Sequence, residues 1–120
     1  MVSCIVIDDD PNIVNLFSEL LALIGVDVLA TGYDGNEAVK LYEKFLPDVV
    51  FVDLIMPEFD GVYAVKKIKE SWVGAKIIIV TADLQADQSY LLDSLKVNQI
   101  IYKPFDMNSV KNALNDILLN

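Results

Sequence analysis

The stretch Cys4-Ile5-Val6-Ile7-Asp8-Asp9-Asp10-Pro11 decides the fold. From Val2 to Ile7 the chain is nearly continuous in apolar residues, the pattern of a strand buried on both faces. The run stops in three aspartates. Pro11 suits the first position of a helix, with Asp10 as its N-cap. A buried strand that runs straight into a helix is the building unit of a parallel α/β sheet. Like charges this close repel, and each raises the pKa of its neighbours. Two readings of the triplet stay open at this point. One is a solvated acidic loop that also caps a helix. The other is a hard-oxygen cluster that holds Mg²⁺ or a similar cation.

Working outward, the same alternation recurs along the chain. Ile13, Leu16, Phe17, Leu20, Leu21 and Ile24 repeat at helical spacing, and Gly25 is the expected C′ residue. Asp27 to Thr31 reads as a second strand and Gly32 to Gly35 as a turn. Glu37 to Phe45 is a helix, with Ala38, Leu41, Tyr42 and Phe45 inward and Pro47 stopping it. Val49 to Val52 is a third strand ending at Asp53, followed by a loop from Leu54 to Asp60 and a helix from Gly61 to Glu70. Trp72 reads as a packing residue at the edge. Lys76 to Val80 is a fourth strand ending at Thr81. A weaker helix over 84–95 turns Leu84, Leu91, Leu92 and Leu95 inward. Gln99 to Tyr102 is a fifth strand ending at Lys103-Pro104, and Met107 to Leu119 a last helix. Five βα units predict one α/β domain over residues 1–120, a parallel sheet with helices on both faces.

Composition narrows the function. The chain has 120 residues, 54% of them hydrophobic, so disorder is excluded. No apolar run approaches the ~20 residues of a membrane span, and Met1-Val2-Ser3-Cys4 lacks the basic start of a signal peptide. The single cysteine, Cys4, lies in the apolar run and reads as a core residue. A cytoplasmic protein is expected. The net charge of −9 disfavours nucleic acid and anionic membranes as direct partners. There is no histidine, which removes imidazole catalysis, imidazole metal ligation and any phosphohistidine on this chain.

In a sheet of this kind, functional residues gather beyond the carboxyl ends of the strands. Asp8 and Asp9 follow the first strand, Asp53 the third, Thr81 the fourth and Lys103 the fifth. Three carboxylates at one rim call for a divalent cation. Mg²⁺ binds one or two carboxylates and keeps sites for phosphate oxygens. A phosphoryl group is therefore the fitting substrate, with a carboxylate as possible nucleophile, Lys103 as a point charge and Thr81 as a hydroxyl donor.

The set Asp8-Asp9, Asp53-Leu54-Ile55-Met56-Pro57 with Asp60-Gly61, Thr81-Ala82 and Lys103-Pro104-Phe105 resembles the receiver domain of two-component response regulators, in the single-domain form of the chemotaxis regulators. The resemblance covers essentially the whole chain. It implies a flavodoxin-like, doubly wound three-layer sandwich with strand order 2-1-3-4-5. It implies Asp53 as the phosphoacceptor, with Thr81 and Lys103 contacting the phosphoryl group. Mg²⁺ would be held by Asp9 and Asp53 directly, by Asp8 mainly through water, and by the backbone carbonyl of Ile55. Mn²⁺ or Ca²⁺ could substitute. The Lys103–Pro104 bond is expected to be cis. Asp60 is expected to cap its helix.

The resemblance further implies that Ile55 and Asp83 border the phosphoryl site and modulate how long the phosphoryl group survives. Ile55 cannot orient a water, which favours a longer-lived state. The chain departs from the family at Ile100, where an inward-rotating switch aromatic is usual. Tyr102 is the nearest aromatic, read as packing or as a substitute switch. Lys96-Val97 replaces a usual Gly-Ala pair, so the loop after the fourth helix should differ.

The implied function is a switch, not an enzyme beyond its own phosphorylation and dephosphorylation. A histidine kinase or histidine phosphotransfer protein would supply the phosphoryl group. The fourth helix, fifth strand and fifth helix, including Tyr90, Lys96, Gln99, Tyr102 and Lys111, would meet an unknown downstream protein. A monomer or weak dimer is expected, acting alone or as part of a longer regulator. Two other functions stay in view. A Mg²⁺ phosphatase with an aspartate nucleophile would need a second acid two residues on, where Ile55 stands. A receiver that only binds partners would not need every chemical residue.

Overall fold

The computed structural model describes residues 1–118, apart from the side chain at position 87. Five parallel strands form one sheet in the order β2-β1-β3-β4-β5. They are β1 (Ser3–Ile7), β2 (Asp27–Gly32), β3 (Val49–Asp53), β4 (Ile77–Thr81) and β5 (Gln99–Tyr102). The helices are α1 (Pro11–Leu23), α2 (Gly35–Phe45), α3 (Gly61–Ser71), α4 (Tyr90–Leu95) and α5 (Met107–Leu118). A 3₁₀ turn, Ala86–Gln88, precedes α4. The expected extension of the last helix to Leu119 lies outside the described residues.

The strands at the centre sort their side chains by parity, as a pleat requires. Cys4, Val6, Val49, Phe51, Ile78 and Val80 face α1 and α5, where Phe17, Leu21, Val110 and Leu114 close the layer. Ile5, Ile7, Val50, Val52, Ile77 and Ile79 face the other way, onto Tyr42 of α2, Ile68 of α3 and Leu92 of α4. That two-sided burial explains why β1, β3 and β4 read as unbroken apolar runs. Each fully buried aliphatic side chain stabilises the fold by roughly 1.5–3 kcal/mol. Trp72 packs its ring against Tyr42, with centroids 5.2 Å apart.

Helix starts follow from their caps. Asp10, Asp34 and Asp60 each accept a backbone N–H in the first turn of α1, α2 and α3. Gly25, with φ 85°, takes the left-handed conformation just past α1.

Three expectations are corrected, the first at the end of α2, where Phe45 is exposed and not inward. The helix over 84–95 is a 3₁₀ turn and the six-residue α4. Leu84 and Leu91 are exposed, not inward, and Leu92 is the buried anchor. Helical spacing of leucines does not say which of them finds a partner, and the helix starts late because Ser89 caps α4, accepting the Leu92 N–H at 3.2 Å. The turn placed over Gly32 to Gly35 is shorter: Gly32 ends β2 and Gly35 already belongs to α2. Among the described residues, no helix is long and apolar enough to cross a membrane.

Candidate functional site

The carboxyl ends of β1, β3, β4 and β5 meet at one rim. Ile7 closes β1, and the Asp8 N–H still donates to the Gly32 carbonyl of β2, at 3.2 Å, before the chain turns into α1. Asp8 is therefore buried, while Asp9 points out and is exposed. Asp10 turns back to cap α1 by accepting the Asn12 N–H at 2.9 Å. The three neighbours in sequence thus have three different surroundings.

Asp8 is held from two sides. Its Oδ1 accepts the Asp10 N–H at 3.0 Å, and its Oδ2 accepts Lys103 Nζ at 2.7 Å. Asp53, the last residue of β3, lies 3.4 Å from the same ammonium through Oδ2. Thr81, the last residue of β4, is buried. Its Oγ1 accepts the Asp83 N–H at 3.1 Å, and its carbonyl accepts the Lys103 N–H at 2.8 Å. The Lys103–Pro104 peptide bond is cis.

One carboxylate oxygen from each of Asp8, Asp9 and Asp53 lies within 4.8 Å of the others. Three carboxylates, two of them paired with one ammonium, leave two negative charges at the rim. An all-oxygen donor set with that surplus fits a divalent cation, so the cluster can hold a metal. The strain of the metal-free state shows in Asp53. Burial, and then the charge of Asp8, push its carboxyl above the usual range, against the opposing pull of Lys103. Burial alone would lower Lys103, but its hydrogen bond to Asp8 and the charges of Asp53 and Asp8 outweigh that and raise it.

The remaining singled-out residues surround this rim unequally. Ile55 is 68% exposed, and its side chain takes no part in the core. Asp83 is exposed and spends Oδ1 on the Gln85 N–H. Ile100 and Tyr102 are half-buried on β5, packed against the layer formed by α2, α3 and α4. They line a groove of about 350 Å³ beside α4, together with Leu92 and Lys96, away from the carboxylates.

Two glycines belong to the site although their sequence reading stopped at turn and helix start. A Cβ on Gly61 would stand 2.4 Å from the Asp53 carbonyl oxygen, and one on Gly35 would stand 2.4 Å from that of Asp60. The Gly35 N–H donates to the Phe59 carbonyl at 2.6 Å, and the Gly61 N–H to that of Leu54 at 2.9 Å. Together they seat the loop that carries Ile55. The signal was present: Asp34-Gly35 and Asp60-Gly61 are the same capping aspartate followed by a glycine at the first helical position.

The match to known proteins runs the length of this architecture. Residues 4–115 match the family model described as the response regulator receiver domain. The chemotaxis protein CheY of Bacillus subtilis (strain 168) is 33% identical over 116 residues, covering 95% of each chain. That of Thermotoga maritima is 30% identical over 115 residues, covering 94% of each. Among solved structures, the response regulator protein TrrA of Thermotoga maritima, in complex with Mg(2+)-BeF, superposes with a TM-score of 0.89 at 28% identity, covering 98% of this chain and 100% of that one. The sheet order, the acidic rim and these matches have one meaning: the chain belongs to the receiver domain family of response regulators, the signalling modules of two-component regulation.

Proposed function

We propose that residues 1–120 form a single receiver domain that accepts a phosphoryl group on Asp53 from a phosphohistidine of a sensor kinase or phosphotransfer protein. The observation that carries this reading is the convergence of Asp8, Asp9 and Asp53 on one another, with Lys103 paired to Asp8 and Asp53. Asp53 is the carboxylate of that set that ends the central strand. An Asp53 oxygen forms the new O–P bond as the donor's P–N bond breaks, and the departing imidazole nitrogen takes up a proton.

Asp8, Asp9, Asp53 and the Ile55 carbonyl would hold Mg²⁺, and the TrrA complex supports that choice of cation. When bound, Mg²⁺ neutralises the carboxylates and the incoming phosphoryl oxygens. Lys103, already 3.4 Å from Asp53, exchanges a carboxylate oxygen for a phosphoryl oxygen with little movement. Thr81 accepts from the Asp83 N–H, which leaves its own hydroxyl proton to donate to the phosphoryl group. Ile55 and Asp83 flank the approach and set how long the product lasts.

The phosphoryl group then biases a pre-existing equilibrium of α4, β5 and α5 toward a form that a downstream protein recognises, in the cytoplasm. Ile100 and Tyr102, side by side with the groove at α4, are the residues of β5 placed to report that change. A phosphatase reading lacks support, because the side chain two residues after Asp53 is the exposed, apolar Ile55.

Incubation with acetyl phosphate and Mg²⁺, followed by intact-mass measurement, tests the chemistry. The wild type should gain one phosphoryl group, and Asp53→Asn should gain none. Retention of the added mass in Asp53→Asn would place the acceptor elsewhere.

A further inference from the structure

We infer that Lys69 is a positioning residue for the α4–β5–α5 face: its ammonium holds the C-terminal end of α4 through the Lys96 carbonyl. Lys69 lies in the last turn of α3, and its Nζ donates to that carbonyl at 2.8 Å. Lys96 is the residue that ends α4. It has φ 59°, the left-handed conformation that normally calls for glycine. The chain thus ends α4 on a residue that resists the required backbone geometry.

α4 itself is poorly equipped to stand alone. It has six residues, too few for an independent helix. Tyr90 is 89% exposed and Leu91 51%, so Leu92 is its one fully buried anchor. Its last turn carries the negative end of the helix dipole; the Asp93 carbonyl accepts the Lys96 N–H at 3.1 Å, while the Lys96 carbonyl, just past the last helical residue, takes its donor from Lys69. An ammonium on α3, aimed at the terminal carbonyl, supplies both the donor and the complementary charge.

The position of Lys69 is otherwise hard to account for. Among the described residues it makes no ion pair; the neighbouring Lys67 is the one that meets Glu70. Burial, and then the nearby Lys96 ammonium, lower its pKa, so the charge is kept there against both. A lysine with no task would extend into water.

The positioning role rests on the proposed output face, whereas the bond to Lys96 does not. Hydrogen exchange resolved by segment, without Mg²⁺ or phosphodonor, tests the bond. In Lys69→Met the segment 90–98 should exchange about fivefold faster, from a lost hydrogen bond and a lost charge at a helix end. The central strands β1 and β3 should be unchanged, and Lys69→Arg should restore the wild-type rate. Wild-type exchange in Lys69→Met, or acceleration spread evenly over the sheet, overturns the inference.

Acetyl phosphate and Mg²⁺ are then added. Both proteins should gain one phosphoryl group, because Lys69 is not in the site. The exchange change in segment 90–102 should be smaller in Lys69→Met, whose α4 is already loose. A wild type that takes the phosphoryl group with no change in that segment overturns the output face and the positioning role with it. A wild type that takes none overturns the proposed chemistry, while the metal-free result still decides the bond.

Discussion

Asp8, Asp9 and Asp53 carry the same charge in three settings, and the settings assign their work. Asp8 is buried and doubly bonded, Asp9 is exposed, and Asp53 is buried beside an ammonium that it shares. Asp53 therefore has the raised carboxyl, from burial first and Asp8 second. The sign of the consequence is fixed. A carboxyl raised in the folded state binds its proton more tightly there than in the unfolded chain, so it lowers stability as pH rises from the ordinary 3.8 through the raised value. In metal-free protein at pH 7, Asp53→Asn should melt higher than wild type. The gap should close as pH falls toward 4, as followed by circular dichroism. A gap that is constant with pH would contradict the charge argument. These carboxylates were legible in the sequence because apolar strands end in them. The same reasoning brought Lys103 to their rim, but did not say which carboxylate its ammonium bonds, since strand ends fix a neighbourhood and not a partner. Nor was the difference in exposure between Asp8 and Asp9 legible; it depends on where the backbone turns after its bond to Gly32.

At the scale of elements, the two capped helix starts beside the site matter most. α3 begins against the end of β3 so closely that any side chain at Gly61 meets the Asp53 backbone. Gly61→Ala should cost about 1–3 kcal/mol in urea unfolding, the usual penalty of overpacking. It should also slow phosphoryl uptake from acetyl phosphate, since the displaced backbone is that of Asp53, the proposed acceptor. Normal uptake in a destabilised Gly61→Ala protein would separate the two effects and refute the positioning argument. Strands and long helices were legible from periodicity, because burial on two faces or on one leaves distinct patterns. α4 was not. Leu84, Leu91 and Leu92 have helical spacing, yet only Leu92 is buried. An apolar side chain left on the surface is indistinguishable, in sequence, from one in the core. The left-handed Lys96 was foreshadowed only as a missing glycine, because a local sequence does not reveal a tether from α3.

Across the whole molecule, a net charge of −9 concentrates part of its repulsion at one rim. Binding of Mg²⁺ to the folded state alone should raise stability by about 2.7 kcal/mol at a hundredfold excess over its dissociation constant. Thermal melts with and without Mg²⁺ check this. Asp9→Asn should lose most of that gain and yet melt roughly 1–3 °C higher than wild type without metal, because an unpaired like charge is gone. A lower metal-free melting temperature for this variant would contradict it. The sheet order was legible through the receiver resemblance, and two-sided burial of β1, β3 and β4 bears it out. One contact ties the molecule together in time as well as in space. Lys103 and Asp8 are 95 residues apart, joining the first strand's loop to the last strand's. A contact this distant in sequence carries a loop-closure cost that must be met before the contact contributes. A chain still lacking its fifth strand has its carboxylates but not its ammonium, so under the proposed function the site that would respond is assembled only by the last strand to join the sheet.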